Sequence, residues 1–239
     1  MSTWLFDLGN TRLKFAALRA DGGVDEAVAV THDAQEAWLG GLPHGDAACI
    51  ASVAAVERRV ALLDALCARF GRLHVVRTQS RCAGMRIAYE NPGHLGVDRF
   101  LALLSALEAG DVLLVGIGTA LTIDLLDGDG LHRGGRIAPS PALMREALHA
   151  RAAVLPGTGG AYAEFANDTG HALASGCEGA ALALVERSLQ YATRLLGTPP
   201  ALWLHGGGAE ALRERLPAHR FVPDAVLRGL ARWQAHAFA

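Results

Sequence analysis

The sequence has no excess of positive charge. Lysine and arginine together number 22 against 24 aspartate and glutamate residues, so the formal net charge is −2 at pH 7 and the isoelectric point is near 6.5. A protein that binds nucleic acid through its phosphates needs a basic face, and the arginines here are scattered along the chain instead of clustered. The sequence therefore predicts no nucleic-acid partner.

From the sequence we also expect no membrane segment, no leader sequence and no metal-binding cysteine motif. No uncharged run approaches the ~18 residues that a membrane-spanning helix needs. The N-terminus has no basic segment ahead of an apolar core, so we expect no signal peptide and no membrane partner. The cysteines stand singly at Cys49, Cys67, Cys82 and Cys177. Such spacing is typical of reduced packing residues, and these absences together indicate a cytoplasmic location.

The sequence does contain apolar residues in alternating strand-like and helix-like patterns. With 51% hydrophobic and 19% charged residues it is typical of a globular protein, and its length fits one large domain or two of about 120 residues. The patterns predict an α/β fold, with helices at 56–70, 97–107, 141–152 and 173–196 and strands at 47–53, 73–76, 111–115, 120–126, 135–138 and 201–204. A short helix through 216 and a terminal helix opened by Pro223 complete the pattern.

A weak internal repeat indicates two related lobes. The strand–acid–glycine–hydroxyl pattern at 4–17 is echoed by a strand–glycine–threonine–strand pattern at 112–125. Repetition of this kind indicates related structural units, and nucleotides commonly bind where two lobes meet. We therefore predict an N-terminal lobe at 1–110 and a C-terminal lobe at 111–239, with a nucleotide cleft between them.

The first apolar strand ends in residues that suit a polyphosphate. Gly9 allows a close approach of the backbone, and turn N–H groups together with the Asn10 and Thr11 side chains can donate to phosphate oxygens. Asp7 ends a buried strand, where its carboxylate suits a Mg²⁺ ion held through water. The alternative is an ordinary tight turn with a capping aspartate.

A second group of polar residues opens the helix predicted at 97–107. Gly96 and Val97 precede Asp98 and Arg99, which lie in the first helical turn. An acid at this position commonly stabilises a helix by about a few tenths of a kcal/mol. The functional alternative is that Asp98 is a base for a hydroxyl nucleophile and Arg99 an anion clamp, as phosphoryl transfer requires.

Two glycine-containing turns are weaker signals. Thr119 follows a glycine at a strand turn and could bond a phosphate. The glycine run at 206–208 follows a strand and leaves room for a flat ligand such as adenine. Both segments also fit ordinary tight connections, so only the order of the motifs along the chain is informative.

In that order, the motifs resemble those of the type III pantothenate kinases, members of the acetate and sugar kinase, Hsp70 and actin superfamily. The matching segments run almost from end to end of the chain: Asp7-Leu8-Gly9-Asn10-Thr11, Tyr89 with Asn91-Pro92, Gly96-Val97-Asp98-Arg99, Gly118-Thr119-Ala120, Gly134-Gly135-Arg136-Ile137 with Pro139, Asp168-Thr169 and Gly206–Gly208. The resemblance implies two ribonuclease-H-like (actin-like ATPase) lobes and a homodimer. It also implies ATP-dependent phosphorylation of pantothenate to 4'-phosphopantothenate, the first step of coenzyme A biosynthesis.

The resemblance further implies a role for each matching residue. ATP would be bound by the first turn, a later threonine and the glycine run: Asp7, Leu8, Gly9, Asn10, Thr11, Arg12, Leu13, Lys14, Thr119, Gly206 and Gly207. Asp98 would be the general base, and Asp7 would bind Mg²⁺ through water. Pantothenate would be bound by a set that offers an arginine for its carboxylate: Tyr89, Gly96, Val97, Asp98, Arg99 and, from the neighbouring subunit, Thr169.

The sequence departs from the family pattern at one position. Where relatives read Asp-x-Gly-Thr, this chain reads Gly116-Ile117-Gly118-Thr119. The missing acid is the one that the resemblance associates with a monovalent cation, K⁺ or NH₄⁺. Because Gly116 offers no carboxylate, the cation site is either rebuilt from other groups or absent.

Two other functions stay open at this point. The superfamily includes homologues named Bvg accessory factor, so a regulatory protein with weak or no kinase activity is one alternative. A kinase of another small hydroxylated substrate is the second, because a fold does not fix a substrate. The near-neutral charge argues against direct DNA binding, and the intact Asp7, Asp98 and Arg99 favour an enzyme.

Overall fold

The computed structural model describes residues 2–32 and 39–238. Along that part of the chain the strands and helices are, in order, β1 (Thr3–Leu8), β2 (Arg12–Leu18), β3 (Val28–Thr31), β4 (Gly45–Ser52), α1 (Val56–Cys67), β5 (Phe70–Val75), β6 (Arg81–Cys82), β7 (Met85–Arg86), α2 (Val97–Ser105), β8 (Val112–Ile117), β9 (Ala120–Leu126), β10 (His132–Pro139), α3 (Pro141–Arg151), α4 (Thr169–Leu196), β11 (Ala201–His205), α5 (Glu210–Arg213), β12 (His219–Phe221) and α6 (Ala225–Ala237). They form two compact units: Met1–Ala109 with Gly128–His132 and Asp224–Ala239, and Gly110–Asp127 with Arg133–Pro223.

The first unit is built on a five-stranded sheet in the order β3-β2-β1-β4-β5. β1 pairs antiparallel with β2, and β2 with β3, whereas β1, β4 and β5 run parallel. Three aromatic rings pack between these strands. Phe6 stacks on Phe15 with ring centroids 5.7 Å apart, and it makes an edge-to-face contact with Phe70, also with centroids 5.7 Å apart. Leu62 and Leu66 of α1 are fully buried in the same core.

Helix α6, at the end of the chain, packs in the first unit against α2, β1 and β4. The backbones of α6 and α2 approach so closely that a side chain at Gly229 would collide with the Leu101 carbonyl oxygen. Glycine is therefore required at this crossing. The division of the chain into 1–110 and 111–239 stays a prediction, and the structure adds that the terminal helix packs with N-terminal residues.

The second unit has the same sheet order, β10-β9-β8-β11-β12. β8 pairs antiparallel with β9 and parallel with β11, which is itself parallel to β12. Every residue of β8 is buried, as expected for a central strand covered on both faces. Helix α4, 28 residues long, contributes Ala181, Leu182 and Val185 to the core of this sheet.

The shared strand order confirms the predicted α/β fold of two ribonuclease-H-like lobes. It also explains the internal repeat, because the β1–β2 and β8–β9 hairpins hold the same position in their respective sheets. Each hairpin places a short turn at the end of a buried central strand. The two turns singled out in the sequence are therefore structural equivalents.

Some predicted helix boundaries differ from the structure for local reasons. The helix predicted at 56–70 ends at Cys67, because Phe70 opens β5, where its ring packs against Phe6. The helix predicted from residue 173 begins at Thr169, because Asp168 caps it by accepting a hydrogen bond from the His171 N–H. The short helix expected through 216 is confined to Glu210–Arg213.

Candidate active site

The predicted phosphate loop is the turn of the β1–β2 hairpin. Leu8 and Leu13 are the last paired residues, and both are fully buried. The residues between them form the turn, closed by a hydrogen bond of 3.1 Å from the Gly9 N–H to the Arg12 carbonyl oxygen. The tip is exposed, so a buried leucine pair anchors an accessible backbone turn of the kind that binds anions.

Asp7 and Lys14 form the cross-strand pair next to this turn. Burial and the nearby charge of Asp98 raise the pKa of Asp7 from 3.8 to about 7, against the opposing effect of Lys14. Burial lowers the pKa of Lys14, and the charge of Asp7 offsets part of that effect. Near neutral pH the Asp7 carboxyl is therefore about half protonated unless a cation compensates its charge.

Asp98 lies in the first turn of α2, after the capping residue Gly96. The Arg99 N–H donates to Asp98 Oδ1 at 2.8 Å, which fixes the carboxylate at the positive end of the helix. A Cβ at position 96 would lie 2.5 Å from Asp98 Oδ1, so glycine is what leaves room for the carboxylate. Val97 is buried and ties the start of the helix to the core.

Folding brings Asp7 and Asp98 together although they are far apart in the sequence. The charge of Asp98 contributes to the raised pKa of Asp7, so the two carboxyls lie within range of each other's charge. A divalent cation with oxygen ligands relieves the repulsion between two such groups. The pair therefore fits Mg²⁺. Waters or substrate oxygens would have to complete its shell, because no cluster of three His, Cys, Asp or Glu side chains suited to a metal occurs within the described residues.

Arg99 is buried, with only 5% exposure, and contacts the half-buried side chain of Tyr89. Its Nη1 donates to the Tyr89 hydroxyl at 3.3 Å, and its guanidinium lies 5.9 Å from the centroid of that ring. His132, fully buried, stacks on Tyr89 with centroids 5.9 Å apart and planes 22° apart. The sequence analysis did not identify His132, because a single histidine at the start of a strand belongs to no motif.

In the second unit, the β8–β9 turn and the glycine run lie side by side. β8 and β11 are parallel neighbours, so both segments leave the sheet at the same edge, and the Gly208 N–H donates to the Ile117 carbonyl oxygen at 2.9 Å. Thr119 and Gly207 are exposed there. Gly206 has a φ of 89° and packs against the Ile117 backbone, which excludes any side chain.

Gly116 holds the position in its hairpin that Asp7 holds in the first one. On the neighbouring parallel strand Asp7 has Ala51 beside it, whereas Gly116 has His205. A Cβ at Gly116 would lie 2.6 Å from Thr122 Oγ1 and 2.7 Å from His205 Nε2. In the first unit the large side chain is on the hairpin strand and the small one on its neighbour, whereas in the second unit the hairpin strand has the glycine and the neighbour has the histidine. The His205 ring and the Thr122 hydroxyl therefore fill the space that a carboxylate at position 116 would need.

Thr169 lies on a different element from the residues above. It is the exposed first residue of α4, next to the capping residue Asp168. The Asp168 carboxylate also pairs with the His171 side chain, and these hydrogen bonds lower its pKa. Thr169 therefore stands at a well-capped helix start, accessible to a ligand or a partner chain.

The structure also bears on the expected absences. In the described part of the chain no helix has the length and hydropathy of a membrane span. The four cysteines are free thiols; Cys49, Cys82 and Cys177 are buried as expected of packing residues, whereas Cys67 is exposed. Burial raises the pKa of the Cys49 thiol.

Comparisons with known proteins agree with the motifs in the chain. The family model described as type III pantothenate kinase matches residues 4–191. A protein of Stenotrophomonas maltophilia (strain K279a) is 59% identical over 99% of this chain and 98% of its own length, and is named "Type III pantothenate kinase". A protein of Xanthomonas campestris pv. campestris (strain B100) with the same name is 56% identical over the full length of both chains. A solved structure of a Baf family protein from Campylobacter jejuni has a TM-score of 0.66 at 19% identity, covering 98% of each chain; it indicates the fold alone.

Proposed function

The chain belongs to the type III pantothenate kinase family, and from that premise we propose a role for each residue of its site. Its activity is the ATP-dependent phosphorylation of pantothenate to 4'-phosphopantothenate in coenzyme A biosynthesis. The observation that carries the assignment of residues is that Asp98, with a carboxylate fixed by a backbone hydrogen bond, and the buried Arg99 are consecutive residues at one helix start. The two groups offer a base and an anion clamp on one rigid element.

Asp98 is the general base. Its carboxylate accepts the proton of the primary hydroxyl of pantothenate, the hydroxyl oxygen bonds to the γ-phosphorus of ATP, and the bond from that phosphorus to ADP breaks. The hydrogen bond from the Arg99 N–H and the space left by Gly96 support this role, because both hold the carboxylate in one orientation.

Arg99 binds the carboxylate of pantothenate. A buried guanidinium grips a carboxylate with two parallel hydrogen bonds. Tyr89 supports the clamp because its hydroxyl accepts from Arg99 while its ring stacks on His132. Gly96 and Val97 line the pantothenate pocket, and Thr169 reaches the substrate from the partner subunit.

Residues 7–14 bind the phosphates of ATP. The turn offers backbone N–H groups and the Lys14 ammonium, while Asp7 holds Mg²⁺ through water; the closeness of Asp7 to Asp98 supports a cation there. When bound, Mg²⁺ neutralises phosphate charge. Thr119 binds phosphate, and Gly206 and Gly207 leave room for the adenine.

The transfer proceeds without a monovalent cation. At Gly116 the chain has no acid, and His205 and Thr122 fill the space of one. K⁺ is a hard cation that prefers oxygen ligands, and an imidazole nitrogen is a poor substitute. A variant carrying both Gly116→Asp and His205→Ala should acquire activation by K⁺, whereas His205→Ala alone should not.

A homodimer and a cytoplasmic location complete the proposal. Val154 and Phe165 in the second unit are 88% and 99% exposed, and a second copy of the chain that covered them would remove apolar surface from water. The four free thiols are typical of a reducing compartment. Light scattering coupled to size-exclusion chromatography measures the oligomeric state, and a monomer at micromolar concentration would contradict the dimer.

A coupled ADP-release assay tests the proposal as a whole. Mg-ATP is supplied with and without pantothenate, and each condition is run in K⁺ and in tetramethylammonium salts. We expect pantothenate-dependent turnover at equal rates in both salts. Turnover only in K⁺ would contradict the cation-free proposal. No turnover from folded protein that binds ATP would favour a regulatory homologue or another hydroxylated substrate.

A further inference from the structure

The carbonyl oxygens of Gly9, Asn10 and Thr11 in the turn accept hydrogen bonds from outside it. His32 Nε2 lies 2.8 Å from the Gly9 oxygen. Arg58 Nη1 donates to the Asn10 oxygen at 2.6 Å. The His32 N–H donates to the Thr11 oxygen at 3.3 Å. Because a carbonyl oxygen can only accept, the His32 ring carries its hydrogen on Nε2.

These contacts set the direction of the peptide groups in the turn. In a planar trans peptide the C=O and the N–H of the same unit point in opposite directions. A donor that holds the Gly9 oxygen therefore directs the Asn10 N–H away from His32, and a donor that holds the Asn10 oxygen directs the Thr11 N–H away from Arg58. With either peptide reversed, a carbonyl oxygen with partial negative charge would face a bound phosphate instead of an N–H.

We propose that His32 and Arg58 are positioning residues that orient the N–H groups of the 9–12 turn toward the phosphates of ATP. The proposal rests on the role of this turn as the phosphate loop. The two side chains come from different elements, since His32 directly follows β3 and Arg58 lies in the first turn of α1. The turn is thereby held from two sides before ATP arrives, which reduces the ordering that binding would otherwise require.

The test compares Arg58→Ala and His32→Ala with the native enzyme, and uses Arg59→Ala as the matched control. Arg59 is the next residue of the same helix and is half-buried like Arg58. Arg59→Ala therefore removes the same positive charge but leaves the hydrogen bond to the Asn10 oxygen in place. We expect each test variant to raise the KM for ATP about fivefold, the value of one ordinary hydrogen bond, with the KM for pantothenate unchanged. The conservative variants His32→Gln and Arg58→Lys, which keep a donor, should recover most of the affinity.

The outcomes separate the positioning role from the role of the loop itself. If Arg58→Ala and Arg59→Ala raise the KM for ATP equally, the effect of Arg58 comes from its positive charge alone and not from its contact with the turn. That result would overturn the proposal. If Lys14→Ala raises the KM for ATP while His32→Ala and Arg58→Ala do not, the phosphate loop stands and the positioning role is refuted. If none of the three changes the KM for ATP, the phosphate loop itself is wrong. Equal melting temperatures of the variants show that no effect arises from unfolding.

Discussion

The charge of Asp7 should lower the stability of the ligand-free protein, and Asp7→Asn should recover that stability. The pKa of this carboxyl rises from 3.8 to about 7 in the folded chain, because burial and the charge of Asp98 both disfavour ionisation. The folded state therefore holds this proton more tightly than the unfolded state. It follows that this group lowers the free energy of unfolding as the pH rises from 3.8 through about 7. Asparagine carries no charge and removes that dependence.

The magnitude follows from the difference in pKa. At about 1.4 kcal/mol for each tenfold change in proton affinity, the free energy of unfolding falls by about 4 kcal/mol above neutral pH. Asp7 is only half-buried, and solvent screening reduces this to about 2 kcal/mol. In a chain of 239 residues, Asp7→Asn should then raise the Tm by about 4–8 °C at alkaline pH. Near the unperturbed pKa of 3.8 the advantage disappears.

Thermal unfolding of the native chain, Asp7→Asn and the control Asp64→Asn measures this effect across the acid to alkaline range. Asp64 is exposed on α1 of the same unit, so its amide variant should follow the native curve. In a second series with Mg-ATP, the native chain should gain Tm through binding and Asp7→Asn should gain much less. Equal Tm values for native chain and Asp7→Asn at every pH would refute the reasoning, because Asp7 would then ionise at no cost to the fold.

Four further predictions concern the reaction. Asp98→Asn should lower kcat about 10²–10⁴-fold without lowering the Tm, because an amide cannot accept the proton; an unaltered kcat would exclude the base. Gly96→Ala should also lower kcat, since its Cβ would lie 2.5 Å from Asp98 Oδ1; native kcat would mean that the carboxylate can move without loss. Arg99→Lys should raise the KM for pantothenate, because an ammonium cannot hold a carboxylate bidentately; a change confined to the KM for ATP would give Arg99 another partner. Lys14 is the only lysine of the chain, so its acetylation, located by peptide mass spectrometry, should inactivate the enzyme and ATP should slow the loss; full activity after acetylation would exclude an essential ammonium.

The sequence by itself determined the fold class and the family. Alternating apolar patterns predict the strands and helices because side-chain periodicity depends only on neighbouring residues. Gly9 and Gly206 mark turns because backbone conformation is equally local. The motifs from Asp7 to the glycine run stand in one order along the chain, which is sufficient to indicate the family without any knowledge of contacts.

Helix boundaries needed more than local pattern. Phe70 continues the apolar period of α1 in the sequence. It is nevertheless the first residue of β5, because its ring packs against Phe6 of the same sheet. The end of the chain was also ambiguous, since nothing in its amphipathic pattern says which sheet it covers. The close approach of Gly229 to Leu101 decides that α6 packs in the first unit.

Only the tertiary structure decided which polar groups face each other. It brought Asp7 close to Asp98, stacked His132 on Tyr89, and placed His205 in the space beside Gly116. A sequence motif records which residues are adjacent along the chain. The pKa of a carboxyl, the support of an arginine and the filling of a vacant position depend instead on atoms that packing brings close from distant segments.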